Sequence, residues 1–298
     1  MSDFNNWDQK LHAKDYLLFP ENLSENMSID ETSLSLGELY TILTNKNAKG
    51  KKGSIVAIIA GTKANVVIEV LQKLTLEQRK KVKEITLDMA NSMKLIAKKC
   101  FPDAIQVTDR FHVQKLALEA LQDIRIKYRW QAIDQENQSI TEAKENNKKY
   151  TSPVFSNGDT PKQLLARSRY VLYKSQEKWT PKQKERAEIL FEHYPDIKRA
   201  YKLSQGLKLI FNQDLIKDVA RVKLAKWYND VEKSGFKAFN IVSNTIKLNY
   251  DTILNYFKNR STNASAESFN AKIKAFRAQF RGVKNIEFFL YRLTKIYA

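Results

Sequence analysis

One cysteine, Cys100, is all that the 298 residues provide, so the chain holds no internal disulfide and no cysteine-built zinc site. Long apolar runs are also missing. The segment 55–60 and the trio Val66, Val67 and Ile68 are typical of the longest, far short of the roughly 20 apolar residues that a membrane-spanning helix requires. The opening MSDFNNWDQK lacks a basic stretch followed by an apolar one, so no secretory signal is expected. Together these absences predict an intracellular protein. Acids are the minority charge: 33 Asp and Glu face 51 Lys and Arg, a formal charge of +18 with a pI of about 9.7. A surplus of that size favours polyanions, because neutralised phosphates release condensed counterions. It points to nucleic acid without saying what is done to it, and a ribosome-associated or generally adhesive basic protein shares the same balance. The hydrophobic content of 43% is that of a folded protein, and the length suits one large domain or a domain with a sizeable insertion.

Residues 1–26 are polar and broken by Pro20, and read as a lead-in with one short helix. From Met27 the pattern becomes strand-like: MSIDETSL, then ELYTILTN, then SIVAIIAG. The basic, glycine-bearing NKNAKGKKG between the last two predicts an antiparallel hairpin. The apolar spacing of NVVIEVLQKLTLEQRKKV fits one or two helices. KEITLD reads as a strand ending in an acid, 91–100 as a helix stopped at Phe101 and Pro102, and AIQVTD as another acid-ended strand. Strand, strand, strand, helix, strand, helix, strand predicts an α/β fold, a three-stranded meander followed by βαβ units, which is the order of the RNase H-like fold. In such a sheet the first and fourth strands are parallel neighbours, and their carboxyl ends open the crevice where α/β sheets bind ligands. The first carries Asp30 and the fourth Asp88, each expected near its strand's end.

Beyond Asp109 the strand signal fades. Residues 113–258 read as successive helices with a polar break at 146–161, a length that predicts a helical insertion rather than a loop. The expected organisation is a lead-in at 1–26, the first part of the core at 27–112, the insertion at 113–258, and the core's C-terminal helices at 259–298. A turn-rich NRSTNAS opens a basic helix carrying Glu267, Gly282 is expected to end it, and 285–298 forms a last amphipathic helix.

Hydrolysis of a phosphodiester needs an activated water and a stabilised leaving oxygen, which two divalent ions held by carboxylates can supply. Asp30 and Asp88 on neighbouring strands, faced by Glu267 from a late helix, meet that requirement. Each alone is weak, since an Asp at a strand end is commonly a turn or cap residue. Asp109 competes with Asp88. It sits one strand further out, nearly 10 Å from Asp30 at a strand spacing of about 4.8 Å, and it can serve as the N-cap of the next helix. Spacing therefore favours Asp88. His112 could face the same crevice or simply bond Asp109, whereas His12 and His193 have no partners at ligand spacing. On the late helix, Lys272, Lys274, Arg277 and Arg281 are candidate phosphate contacts. Phe269, Phe276 and Phe280 on the same helix read as core rather than as base-stacking platforms. Arg167, Arg169, Lys174 and Lys178 in the insertion fit either a wider DNA track or a solvated face.

The ordered set SIDETSL, ITLDMANSM, FPDAIQVTDRFHV, LLARSRYVL, NASAESFNAKIK and FRGVKN resembles the ISL3 family of bacterial insertion-sequence DDE transposases, from about Ile29 to the C-terminus. The resemblance implies Asp30, Asp88 and Glu267 as a catalytic triad binding Mg²⁺ or Mn²⁺, two ions in all. It also implies cleavage and strand transfer of DNA, with transposon ends and target as substrates, and a homodimer or higher oligomer on DNA in the bacterial cytoplasm near the nucleoid. VTDRFHV resembles the aspartate-x-x-histidine motif that related transposases carry after the second acid. Full-length members also carry an N-terminal zinc and helix-turn-helix region, and nothing of that kind stands before Asp30. A split or truncated member, a decayed copy, and a chain partnered by a separate DNA-binding polypeptide all fit that departure. Two other functions compete: a non-catalytic nucleic-acid-binding protein on the same fold, and a different RNase H-like nuclease. The retained trio of acids opposes the first, and the long helical stretch before Glu267 opposes the second.

Overall fold

A computed structural model describes residues 2–33, 39–280 and 285–298. In chain order its elements are α1 (Ser2–Asn5), β1 (Tyr16–Leu18), β2 (Asn26–Ser33), β3 (Leu39–Asn45), β4 (Ile55–Ala60), α2 (Ala64–Leu71), α3 (Leu76–Lys80), β5 (Glu84–Leu87), α4 (Asn91–Cys100) and β6 (Ile105–Thr108). They continue with α5 (Arg110–Glu145), α6 (Pro161–Arg167), α7 (Arg169–Tyr173), α8 (Pro181–His193), α9 (Pro195–Asn212), α10 (Lys217–Ser234) and α11 (Lys237–Leu248). The last three are α12 (Tyr250–Asn259), α13 (Ala264–Gln279) and α14 (Ile286–Tyr297). Among the described residues no helix is long and apolar enough to cross a membrane. Backbone contacts divide the chain into two units, Met1–His112 with Asn249–Ala298, and Val113–Leu248.

The first unit is a mixed α/β structure around a six-stranded sheet of order β1-β4-β3-β2-β5-β6. The meander β2, β3 and β4 is antiparallel, while β5 and β6 run parallel to β2. Side chains alternate across the sheet. Met27, Ile29, Ile85 and Leu87 point to one face, against Val67 and Leu71 of α2 and Met93 and Ile96 of α4. Tyr40, Ile42, Ile55 and Ile58 point to the other, against Phe269 and Ile273 of α13 and Phe289 and Leu290 of α14. Both faces are covered, which is why IVAIIA is apolar throughout rather than alternating. Cys100 is buried in the first of these cores, where desolvation pushes its thiol up to about 11. The β3–β4 turn uses Gly50 and Gly53 at φ of 72° and 83°, where a side chain would be strained.

Two details differ from the sequence reading. The lead-in contributes β1, which extends the sheet beside β4 with Leu17 opposite Ile58; three residues are too few to show a period of two. Asp30 lies within β2 rather than at its end. The parallel pairing with β5 is last recorded at Ser28 opposite Thr86, but β2 goes on pairing with β3 as far as Ser33 opposite Leu39.

The first unit resumes at Asn249, ahead of the return expected at 259. The reason is α12, which packs on the edge strand β6: the Asn255 side-chain amide donates to the Gln106 carbonyl at 3.0 Å, and the Thr108 and Thr252 hydroxyls meet at 2.8 Å.

The second unit is all helical in its regular structure. Buried Arg125 of α5 donates to Gln122 at 2.6 Å and to the Leu165 carbonyl at 2.8 Å. Asp159, 1% exposed, ends the polar break and takes hydrogen bonds from Arg167 and Arg186. A buried carboxylate is tolerated only when paired this way. The Trp227 indole bonds the Leu203 carbonyl at 2.9 Å and ties α10 to α9.

Candidate metal centre

Strand register builds the site. Ser28 pairs with Thr86 and Leu87 with Thr108 in parallel, so Asp30 within β2 falls level with Asp88 and Asp109 just past the carboxyl ends of β5 and β6. The Asp109 amide continues that ladder, donating to the Leu87 carbonyl at 3.0 Å. Asp88 turns the chain into α4, its Oδ1 accepting from the Ala90 amide at 2.8 Å. Asp109 is 1% exposed and its Oδ1 accepts from the Phe111 amide at 3.2 Å, the N-cap interaction expected at the start of α5. His112 stands in the first turn of that helix.

The fourth acid comes from above the sheet. Glu267 sits in the first turn of α13, and ligand atoms of Asp109, His112 and Glu267 all lie within 4.8 Å of one another. Two hydrogen bonds pin α13 to β2. The Ser28 hydroxyl donates to Asn263 Oδ1, and Asn270 Nδ2 donates to Asp30 Oδ2 at 2.7 Å. Asp30 Oδ1 also accepts from the Glu31 amide at 2.8 Å. Thus Asp30 and Asp88 are level on adjacent strands, while Glu267 gathers with Asp109 and His112. Strand spacing had favoured Asp88 over Asp109, but it measures only distances within the sheet, and a helix crossing above can meet the outer acid.

Charges in this crevice disfavour one another. Burial raises the Asp30 carboxyl above its ordinary value, opposed by the Glu31 amide and His112 and reinforced by Asp88 and Asp109. Burial likewise raises Glu267, reinforced by Asp109 and Asp30 and opposed by His112. Glu31 is raised by burial and then by Asp88 and Asp30. Carboxyls crowded and half-desolvated in this way favour a counter-cation. Four carboxylates and one imidazole suit a hard or borderline divalent ion held by oxygen and nitrogen. Below the row, Lys46 donates to the Thr86 hydroxyl at 2.8 Å and lies 3.6 Å from Glu84. Desolvation lowers its ammonium, with Glu84 and then Asp109 opposing.

A stability prediction follows. A carboxyl raised in the folded state binds its proton more tightly there than in the unfolded chain. Stability therefore falls as pH rises from the ordinary carboxylate range through the raised value. Without metal, Glu267→Gln should raise the thermal midpoint at pH 8 by on the order of 2 °C, with the gain vanishing towards pH 4. A lower midpoint at pH 8 would show that Glu267 stabilises the fold and is not held in a repulsive cluster.

The remaining expected site residues have plainer settings. Lys272 is exposed and its ammonium donates to the Gly50 carbonyl at 3.1 Å, while Lys274 is exposed. The Arg277 guanidinium lies over the Phe289 ring at 4.9 Å. Arg281 and Gly282 lie outside the described residues. Phe269 is buried, and Phe276 and Phe280 pack against the same core. His12 bonds the Tyr16 carbonyl at 2.9 Å and stacks on its ring, and His193 packs on Phe155. Asn263 and Asn270 were not singled out from sequence. The available signal was their spacing around Glu267, which puts all three on one face of a helix.

No curated protein and no solved structure matches the chain. A model of the ISL3 transposases does match, over residues 27–293. That span takes in the whole sheet from β2 onward, all of the candidate metal ligands and α13. The chain belongs to the ISL3 family of transposases.

Proposed function

We propose that the chain is a DDE transposase whose RNase H-like core cuts and transfers DNA strands with divalent metal ions, Mg²⁺ or Mn²⁺, held by Asp30, Asp88 and Glu267. The observation that carries this reading is the level row of Asp30 within β2 and of Asp88 and Asp109 at the ends of β5 and β6, with Glu267 brought to Asp109 by α13. A meander whose first strand pairs in parallel with β5, itself followed by parallel β6, supports the RNase H-like assignment. Family membership supports DNA as the substrate.

When bound, two ions would activate the attacking oxygen and neutralise charge on the leaving oxygen. Asp30 stands on β2 beside Asp88 and feels the charges of Asp88, Asp109 and His112, and Glu267 in turn feels that of Asp30. Asp109 and His112 stand beyond Asp88, at the end of β6 and in the first turn of α5. Asp109 orients the start of α5, and His112 brings a ring nitrogen to the crevice. Lys272, Lys274, Arg277 and Arg281 would contact backbone phosphates, and the helical unit adds 26 Lys and Arg against 16 Asp and Glu between Val113 and Leu248. A chain working on two transposon ends acts as a homodimer or higher oligomer on DNA.

The direct test is nicking of supercoiled plasmid in Mn²⁺. The expected result is conversion to open circles that EDTA stops. Absence of metal-dependent nicking by a chain that binds DNA would instead favour a non-catalytic nucleic-acid-binding protein. Binding itself should be salt-driven, with log affinity falling by about 0.9 per neutralised phosphate for each unit of log salt. It should also prefer transposon ends over random duplex by less than about a thousandfold, the lower end of the usual specific range. Competition titrations at several salt concentrations measure both, and a larger preference would mean that this chain reads bases itself.

A further inference from the structure

We propose that Asn270 is a positioning residue for the metal centre, holding the Asp30 carboxylate in the orientation in which it meets the ion. The inference rests on the reading of Asp30 as a ligand. Asn263, Glu267 and Asn270 are spaced four and then three residues apart, so they form one stripe along α13. The two asparagines face β2 at residues two apart on the same strand face, Ser28 and Asp30. Asn270 is 8% exposed. Its Nδ2 is committed to Asp30 Oδ2, whereas its Oδ1 is buried without a hydrogen-bond partner among the described residues.

A buried acceptor left unpaired costs stability that an apolar residue of similar shape would not. For the fold alone, leucine would serve better at this position of a packed helix. The feature that needs asparagine is the donor to Asp30. With the Glu31 amide on Oδ1 and Asn270 on Oδ2, both oxygens of Asp30 are held, and the carboxylate plane is fixed while lone pairs stay open. Partners that orient a metal ligand in this way are worth about 10–100-fold in metal affinity or activity.

The experiment measures Mn²⁺ binding by loss of the free-ion paramagnetic signal, alongside cleavage as a function of Mn²⁺, on the full chain. Asn270→Leu is expected to raise the half-saturating Mn²⁺ concentration in both assays by about 10–100-fold. DNA affinity should be unchanged and the thermal midpoint no lower than wild type. Asn263→Ala, which loosens the same helix from the same strand without touching Asp30, should shift the Mn²⁺ half-saturation much less than the Asn270 variants do. Asn270→Ala carries the same expectation as Asn270→Leu and replaces it if the leucine variant does not fold. Unchanged Mn²⁺ binding in a folded Asn270 variant, or an equal shift in Asn263→Ala, overturns the proposal. Asp30→Asn separates this from the reading beneath it. If that variant loses Mn²⁺ binding while the Asn270 variants keep theirs, only the positioning role fails; if Asp30→Asn itself binds Mn²⁺ normally, the ligand assignment fails with it.

Discussion

Asp30→Asn should reduce metal-dependent DNA cleavage by more than about a hundredfold, beyond what loss of a merely supporting partner causes, with DNA affinity at fixed salt unchanged. The substitution keeps the side chain's shape and one oxygen but removes the negative charge. It takes away the acid that stands on β2 beside Asp88 and feels the charges of Asp88, Asp109 and His112. The basic residues that attract phosphate are untouched. Because the Asp30 carboxyl is raised by burial and by neighbouring acids, the metal-free variant should be at least as stable as wild type near pH 8 by the same linkage argument as for Glu267. Cleavage kinetics with a parallel filter-binding or anisotropy titration check both halves. Cleavage at the wild-type rate would remove Asp30 from the site altogether. Parallel loss of cleavage, binding and stability would make it a structural residue.

Asp88→Asn and Asp109→Asn should separate in kind. Asp88 is expected to match Asp30, a loss of more than about a hundredfold with the fold intact. Its oxygen accepts the Ala90 amide in the turn into α4, and it stands on the strand next to Asp30. Asp109 is almost fully buried and caps α5, and it shares a ligand-sized space with His112 and Glu267. Asp109→Asn keeps the capping oxygen, so it should lose roughly 1 kcal/mol or less of stability and show a partial cleavage defect. Thermal unfolding and cleavage rates on both variants decide the matter. If Asp109→Asn is as inactive as Asp30→Asn while Asp88→Asn cleaves normally, the second ligand is Asp109, and the triad runs through the acid that Glu267 approaches.

The core was largely legible because its elements announce themselves. The apolar runs of β3, β4 and β5, the hairpin glycines and the acid-ended strands β5 and β6 are each local signals, and the order of elements then makes β2 and β5 parallel neighbours. What was not legible depended on contacts between distant segments. β1 is a three-residue edge strand held by pairing with β4, by burial of Leu17 and by Gln9 bonding Leu18, contacts that no local pattern announces. The return of the chain at Asn249 rests on α12 covering β6, and nothing in its amphipathic pattern says which surface it covers. Asp30, Asp88 and Glu267 could be nominated from strand ends and a late helix. The approach of Glu267 to Asp109 and His112 could not, because it depends on how α13 is set down on β2. That setting is fixed by Ser28 with Asn263 and by Asp30 with Asn270, pairs more than two hundred residues apart in sequence.

The central claim is that these acids hold divalent ions, and anomalous diffraction from crystals soaked in Mn²⁺ tests it most directly. Mn²⁺ density is expected in contact with the Asp30 carboxylate, shared with Asp88 and Glu267, with Asp109 and His112 alongside. An absence of anomalous density at the carboxyl ends of β2, β5 and β6 in crystals that bind Mn²⁺ elsewhere, or ions held there without Asp30, would contradict it.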